Sequence, residues 1–131
     1  MGVMTSYLKN KLLDHSVGKT AYTKPDAVYL AAFVGDPETT NGAEVAANTT
    51  TDYIRKVITW GTAADAGAIS NTAEVNFGVA GSAWGTISHL AIFDAEAAGN
   101  RLWSDEMSAS KTVAEGDTLV VDTGDIDLTL T

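Results

Sequence analysis

A histidine inside an apolar run is the first feature of this chain that could do chemistry. His89 lies in the stretch SAWGTISHLAIFDAEAAGNRLW, residues 82–103, and Asp94, Glu96 and Arg101 follow it closely. A histidine that acts as a general base needs a nucleophile and an orienting acid within hydrogen-bond reach, and the neighbouring sequence shows no such set. We therefore predict that His89 is a structural or interface residue in a strand of a β-hairpin.

The second histidine lies in DHSVGKT, where Asp14, His15 and Ser16 have the composition of a catalytic triad. Three consecutive side chains diverge around a helix end, so they cannot meet at one carbonyl group. The GKT of residues 18–20 has the residue types of a phosphate loop, but that motif needs a glycine where Leu13 stands. Neither pattern predicts an active site.

Two further groups of residues have the types that ligand sites use, namely the glycines of residues 78–85 and the acids near the C-terminus. The glycines of GVAGSAWG lack the spacing of a dinucleotide fingerprint and precede a strand, which favours turns or a bulge. Asp122, Asp125 and Asp127 could offer oxygen atoms to Ca²⁺, but their spacing lacks the EF-hand order, and solvent-facing acids on a terminal hairpin explain it. We predict no catalytic residue, no cofactor and no metal site, with calcium at the acidic loops left open.

The segment TSYLKNKLLDHSVGK predicts a short amphipathic helix. Thr5 or Ser6 can cap its start, Leu8 and Leu12 share one face, and Gly18 supplies a left-handed stop. Because the apolar stripe is narrow, we expect the helix to lie on the body of the protein or on a neighbouring subunit. Residues 1–24 are therefore assigned to an N-terminal helix and arm, and residues 25–131 to a β-sandwich domain.

From residue 27 onward, short apolar or alternating runs are separated by Gly, Asn, Asp and Thr, as in all-β domains. The pattern predicts a mainly β fold, an antiparallel β-sandwich of about seven strands with a jelly-roll or immunoglobulin-like arrangement. Simple alternation places Ile87 on the same strand face as His89, and the apolar run at 119–121 indicates a central strand. The predicted strands are AVYLAAFV, YIRKVITW, AEVNFGV, TISHLAIFD, NRLWSDEM, DTLVVD and IDLTL.

Composition excludes several partners. The chain of 131 residues has no cysteine, so neither disulfides nor a thiolate zinc site can support it. A net charge of −9 argues against nucleic acid, and no apolar run is long enough for membrane insertion. The charge is uneven, since residues 1–24 hold four lysines and one aspartate. This asymmetry indicates head-to-tail contact between copies, with a solvated helix face as the alternative.

Four stretches of the chain, taken in order, resemble a group of small bacteriophage and prophage proteins commonly labelled tail fibre proteins. They cover most of the chain and contain no catalytic signature. The resemblance implies a virion component made in the bacterial host cytoplasm, with other virion proteins as partners. The stretches are YLKNKLLDHSVGKTAYTKPDAVYLAAFVGDP, ISNTAEVNF, WGTISHLAIFDAEAAGN and KTVAEGDTL.

The function predicted from these observations is that of a non-enzymatic structural protein of a phage virion, in a tail or fibre-associated module for assembly or attachment. We expect a homo-oligomer, with a trimer as one candidate state. A capsid decoration protein is an alternative, because the chain has no shaft-forming repeats. A carbohydrate-binding domain is another, since Trp60, Trp84 and Trp103 could stack on sugars. The predicted interface residues are Leu8, Lys9, Lys11, Leu12, Lys19, Trp84, His89 and Trp103.

Overall fold

A computed structural model of the protein describes residues 2–39, 42–63 and 67–130. Over these ranges the chain forms one helix and ten strands, and every strand pair is antiparallel. The predicted fold class, a mainly β antiparallel sandwich with a short N-terminal helix, is confirmed. The elements are β1 (Val3–Met4), α1 (Ser6–Ser16), β2 (Tyr29–Val34), β3 (Ala43–Glu44), β4 (Lys56–Val57), β5 (Ala68–Ser70), β6 (Val75–Val79), β7 (Gly85–Phe93), β8 (Arg101–Val113), β9 (Thr118–Val121) and β10 (Asp127–Thr129).

Each of the seven predicted strand segments contains a strand. The segment YIRKVITW contains only the two residues of β4, and NRLWSDEM is the first part of a strand that continues to Val113. Three strands were not predicted, namely β1, β3 and β5. They span two or three residues each, which is too short for alternation to show in the sequence.

The sandwich consists of one large sheet packed on two small ones. The large sheet has the order β1-β8-β7-β2-β3, with β4 also paired to β2, and the small sheets are β6–β9 and β5–β10. The core lies between them. Leu30, Ile87 and Ile92 enter it from the large sheet, and Phe77 enters from β6, with Ile126 directly before β10.

An irregular pairing of β7 with β8 overturns one prediction from alternation. From Ile87 to His89 β7 advances two residues, while β8 advances five, from Lys111 to Glu106, so the extra residues lie in β8. Ile87 joins Leu90 and Ile92 in the core and does not share a face with His89. The apolar pattern of the sequence does not reveal the position of such an irregularity. Near its end the strand is buried on both faces, since Ala91 and Ile92 are both buried.

The prediction of a central strand at residues 119–121 is wrong. Within the described residues β9 pairs with β6 alone, and Leu119 and Val121 are buried while Val120 is 38% exposed. A continuous apolar run fits a half-exposed strand when its middle residue is a valine at the surface.

Helix α1 is attached to the sandwich through its capping residue. The Thr5 side chain accepts a hydrogen bond from the backbone N–H of Leu8 (3.4 Å), and the same hydroxyl donates to the carbonyl of Arg101 (2.8 Å). Gly18, with a φ of 74°, follows the C-terminal cap, as the sequence predicted. Leu8 is buried in the main core, so the helix packs on the body of this chain.

Asn71 holds the turn before the last strand. Its side chain is buried, and its amide nitrogen donates to the carbonyls of Ala73 (2.8 Å) and Asp122 (3.1 Å). Its oxygen accepts from the backbone N–H groups of Gly124 and Ile126, each at 3.0 Å. One short amide side chain thereby satisfies four backbone hydrogen-bonding groups in and near the turn, which apolar side chains could not do.

Candidate functional site

His89, the first candidate for chemistry, takes part in a hydrogen-bonded link between β7 and the residue after β2. Its Nδ1 is 2.8 Å from the hydroxyl of Ser88, and that hydroxyl also accepts a hydrogen bond from the backbone N–H of Gly35 at 2.9 Å. In the β7–β8 register His89 lies opposite Glu106, whose side chain is exposed. The serine hydroxyl thus connects β7 to the residue after β2, and the geometry is that of a structural link.

A buried ion pair lies on the outer face of the large sheet. Arg55 is 8% exposed, and its Nε and Nη2 donate to the two carboxylate oxygens of Glu44, both at 2.8 Å. Its guanidinium lies 3.6 Å from the ring centroid of Phe93, which stacks on Phe33 at 6.2 Å. A bidentate pair over an aromatic face is the geometry in which arginine binds a carboxylate most strongly.

Tyr53 completes this cluster from the core side. Its hydroxyl donates to Glu44 at 2.9 Å and accepts from the backbone N–H of Ala32 at 3.0 Å. Burial raises the pKa of Tyr53 well above its usual range, and the neighbouring Glu44 carboxylate raises it further. The hydroxyl is therefore a fixed hydrogen-bond donor and not a source of protons at neutral pH.

The same arginine fixes the loop between β7 and β8. Its Nη1 donates to the carbonyls of Ala95 (3.0 Å) and Ala98 (2.7 Å). Asp94 accepts from both the backbone and the side-chain nitrogen of Asn100, at 2.7 and 3.0 Å, which closes the loop. Ala98 and the following glycine both have positive φ angles. Residues 96–100 are exposed on this rigid support.

Two tyrosines join the helix to the neighbourhood of this loop. The amide of Asn100 donates to the hydroxyl of Tyr7 at 3.3 Å. Burial raises the pKa of Tyr22, and Tyr7 and Asp94 add to that rise through their charges. The helix, the segment after it and the loop therefore form one continuous surface.

A second arginine holds the turn after β2. Arg101 donates through Nη1 to the carbonyl of Pro37 (2.6 Å) and through Nη2 to Glu38 (2.8 Å), which Ser104 also contacts at 3.3 Å. Glu38 is 48% exposed, and the Nε of Arg101 is buried without a hydrogen-bond partner. This pair is consequently more solvated and less completely satisfied than the Arg55–Glu44 pair.

Three of the predicted interface residues meet at an apolar cavity of about 330 Å³. Leu8, Leu12 and Trp103 line it together with Trp60. All of its lining residues are apolar except the hydroxyl-bearing Tyr22. It lies under the helix, between the large sheet and the β5–β10 pair, and its lining holds no set of converging polar groups that would orient a substrate. The remaining lining residues are Tyr22, Pro25, Val28, Ala63, Gly67, Ile69, Ile92, Leu102, Leu128 and Leu130.

The three tryptophans do not form an exposed platform. Trp84 is 6% exposed and lies edge-on to Tyr53 (5.4 Å) and Phe77 (6.3 Å), with its Nε1 donating to the carbonyl of Thr51. Trp103 is 9% exposed. The ring faces that a sugar would need are covered in two of the three residues, so this geometry gives no support to a carbohydrate site.

The predicted basic residues lie on the helix side of the molecule. Lys9, Lys11 and Lys19 are all exposed, and the ammonium of Lys11 lies 5.6 Å from the ring of Tyr7. The structure therefore brings Leu8, Leu12 and Trp103 together and leaves the lysines on the surface. Trp84 and His89 lie in other parts of the fold, and an interface role for the eight residues stays a prediction.

An acidic groove runs between β8 and β9. Its volume is about 580 Å³, and Leu90, Met107 and Val121 form its apolar part. Beyond its contact with β1 at residues 103 and 104, β8 has no strand partner on this side in the described chain. The charged residues that line the groove are Asp105, Glu106, Lys111, Asp122 and Asp125.

Sequence reasoning missed the Glu44–Arg55 pair. Alternation in the predicted strand YIRKVITW places Tyr53 and Arg55 on one face, and an arginine on the same face as a buried tyrosine requires a partner for its charge. The partner lies in a long polar segment, where nothing distinguishes Glu44 from the other acids. Pairing across a loop depends on the fold and not on local pattern.

Two further findings concern the described residues alone. No three or more His, Asp or Glu side chains are grouped there in a way that could hold a metal ion. The helix found there is too short and too polar to cross a membrane.

The comparison with known proteins gives one family. A family model described as Podophage GP4 fiber I protein gp80 matches residues 3–129. No curated protein matches the chain. The match covers the helix and all ten described strands, so the likeness belongs to the whole fold and not to one segment. The chain belongs to this family of phage fibre proteins.

Proposed function

We propose that the protein is a non-enzymatic structural subunit of a phage virion, in a tail or fibre-associated module for assembly or attachment. The observation that carries the proposal is the family match over residues 3–129. A fibre protein meets other virion proteins, which are the partners that we expect. Synthesis in the host cytoplasm and assembly into a homo-oligomer, with a trimer as one candidate, are parts of the same proposal.

The polar geometry supports a structural role. In the Glu44–Arg55 cluster the guanidinium of Arg55 donates to the carboxylate of Glu44 and to backbone carbonyl groups of the same chain. The hydroxyl next to His89 is likewise engaged with Gly35. Catalysis needs polar groups that are fixed in position and still accessible to a substrate. The polar groups here are fixed in position by hydrogen bonds within the protein.

The placement in the particle is tested by counting copies. Purified protein is mixed with particles of its phage that lack it, and the bound copies per particle are measured by quantitative gel densitometry. A small number of copies, located at the tail by immunogold labelling, is the expected result. Copies over the whole shell, in the hundreds on the scale of capsid subunits, would support decoration of the head and contradict our placement.

The carbohydrate alternative has its own measurement. Tryptophan fluorescence is recorded while host surface glycans are added to the purified protein. We expect no saturable change, since Trp84 and Trp103 are almost fully covered. Saturable quenching that is abolished by Trp60→Ala would instead identify a sugar site.

A further inference from the structure

We propose that the acidic groove between β8 and β9 is the docking site for one side of helix α1 and the turn after it, from Lys9 to Lys19, of a second copy of this chain. The contact is head-to-tail, because each copy carries both the groove and the helix end. This inference rests on the proposed structural role, since a virion subunit works as part of an assembly. It names the surfaces by which copies would join.

The helix end is an apolar surface without a cover. Val17 is 76% exposed and Leu13 is 63% exposed, the two largest exposed fractions among the large hydrophobic residues of the described chain. They are four residues apart, so they lie on one side of the helix, and Lys9 precedes them with the same spacing. Lys19 follows directly after the turn and is also exposed. The result is an apolar knob between two positive charges.

The groove has the complementary composition. Its apolar part is formed by Leu90, Met107 and Val121, and Val120 lies at its border with 38% of its surface exposed. Four carboxylates and one ammonium group surround this part. The apolar part can cover Leu13 and Val17, while the acids face the lysines of the incoming helix.

The charge of the chain selects a second copy as the occupant. Residues 1–24 carry four lysines and one aspartate, whereas the whole chain has a net charge of −9. Two copies therefore repel in most orientations and attract when the helix side of one faces the groove of the other. The local charges of opposite sign are Asp14 on the helix and Lys111 in the groove, and neither of them reverses the sign of its surface.

The open edge of β8 lies at the same place. Residues 105–106 and 111–113 pair with β7 on one side, and within the described residues the other side of 105–113 carries no strand. Proteins cover or interrupt such edges because their free N–H and C=O groups pair with other chains. An occupied groove would cover this edge. A head-to-tail contact of this kind either closes into a ring or grows as a filament.

The test measures the association of full-length protein by sedimentation equilibrium from about 1 μM to 1 mM, which covers weak and moderate affinities. We expect the protein to associate at about 0.1 M salt. The association constant should fall at least tenfold at about 1 M salt, where charges are screened within a few ångströms. Two double variants remove one surface each. K9E/K19E alters the knob, and D122K/D125K alters the groove. Each is expected to be monomeric.

A mixture of the two variants tests whether the knob of one copy meets the groove of another. The intact knob of D122K/D125K can dock into the intact groove of K9E/K19E, and the two charge-reversed surfaces are again opposite in sign. The mixture should therefore regain the association that each variant alone has lost, whereas a contact that does not involve the groove would leave D122K/D125K associated on its own. The controls, K56E and E74K/E96K, reverse charges outside both surfaces and should associate as the wild type does. Far-ultraviolet circular dichroism and urea unfolding verify that each variant is folded.

Three results would overturn the proposal: a wild-type protein that is monomeric throughout, surface variants that associate like their controls, or a mixture that does not regain association. Failure of the virion role is a separate outcome. Protein that assembles as expected and never binds particles contradicts the proposed function alone. Folded monomeric variants that still bind particles separate particle binding from self-association.

Discussion

Arg55→Ala is the substitution that tests the polar cluster most directly. It removes a bidentate bond to Glu44, two bonds to carbonyl groups of the 94–100 loop, and a guanidinium that covers the ring of Phe93. Removing one partner of a buried pair costs about 3–5 kcal/mol, because the other charge remains unpaired. Glu44 is 24% exposed and keeps its bond from Tyr53, so water and a hydroxyl reduce that cost. We expect a loss of about 3 kcal/mol in the free energy of unfolding.

The assay is urea unfolding followed by tryptophan fluorescence, because Trp84 reports on the core from its contact with Tyr53. A domain of this size has a total stability of about 5–15 kcal/mol, so the expected loss moves the midpoint clearly. A double-mutant cycle with Glu44→Ala isolates the pair, and we expect a coupling energy of about 1–3 kcal/mol. Arg55→Lys keeps the charge without the planar fork and should recover only part of the loss.

The matched control is Arg101→Ala. This arginine also forms a 2.8 Å bond to a glutamate, but that glutamate is 48% exposed, and the Nε of Arg101 is buried without a partner. Solvated pairs contribute about 0–1 kcal/mol, and removing an unsatisfied donor offsets part of the loss. The reasoning is refuted if Arg55→Ala costs less than about 1 kcal/mol, or if the two substitutions cost the same.

Substitutions at three further buried positions are tested by the same urea titration. Because the pKa of Tyr53 is raised by burial, its contribution is complete below about pH 10 and is lost as the pH rises above the unfolded pKa. Tyr53→Phe should therefore flatten the decline of stability between about pH 9 and pH 11 and cost about 1–2 kcal/mol at neutral pH; an unchanged decline would assign it to other groups. Asn71→Ala should cost about 2–4 kcal/mol, because four hydrogen bonds to the 122–126 turn and its surroundings are lost, and a cost below about 1 kcal/mol would contradict this role. Thr5→Ala should cost about 1–2 kcal/mol and Thr5→Ser much less, since serine retains the hydroxyl that caps the helix; equal costs would show that the methyl group and not the cap matters.

The helix and the strands could be predicted from the sequence where the local pattern and the tertiary contacts agree. Thr5, the Leu8 and Leu12 pair and Gly18 are the residues that a helix start, stripe and stop require, and the structure uses them in these roles. The hairpin of β7 and β8 follows from two apolar strands around a glycine-containing turn. In these segments each residue's own preference and its packing lead to the same conformation.

The failures occurred where an element depends on a distant partner. The register between β7 and β8 shifts next to His89, where Ile87 enters the core, and no local signal in the sequence marks this shift. The β9 strand has an apolar sequence and lies at the edge of a two-stranded sheet, because its neighbours are set by the order of strands. Glu44 and Asn71 form their buried hydrogen bonds only when the fold brings their partners next to them.

Buried polar side chains hold the loops of this small fold in place. An apolar core positions strands and helices, since each has an apolar face, but a loop of small and polar residues such as 94–100 has none. Arg55 supplies the missing anchor for that loop, and Asn71 does the same for the turn at 122–126. Leu13 and Val17 have the largest exposed fractions among the large hydrophobic residues of the described chain, and in the proposed assembly a second copy covers them. If the buried polar groups hold loops in this way, Arg55→Ala should increase amide hydrogen exchange at residues 95–100 more than in the strands, whereas the substitutions at Lys9 and Lys19 should leave exchange within the folded monomer unchanged.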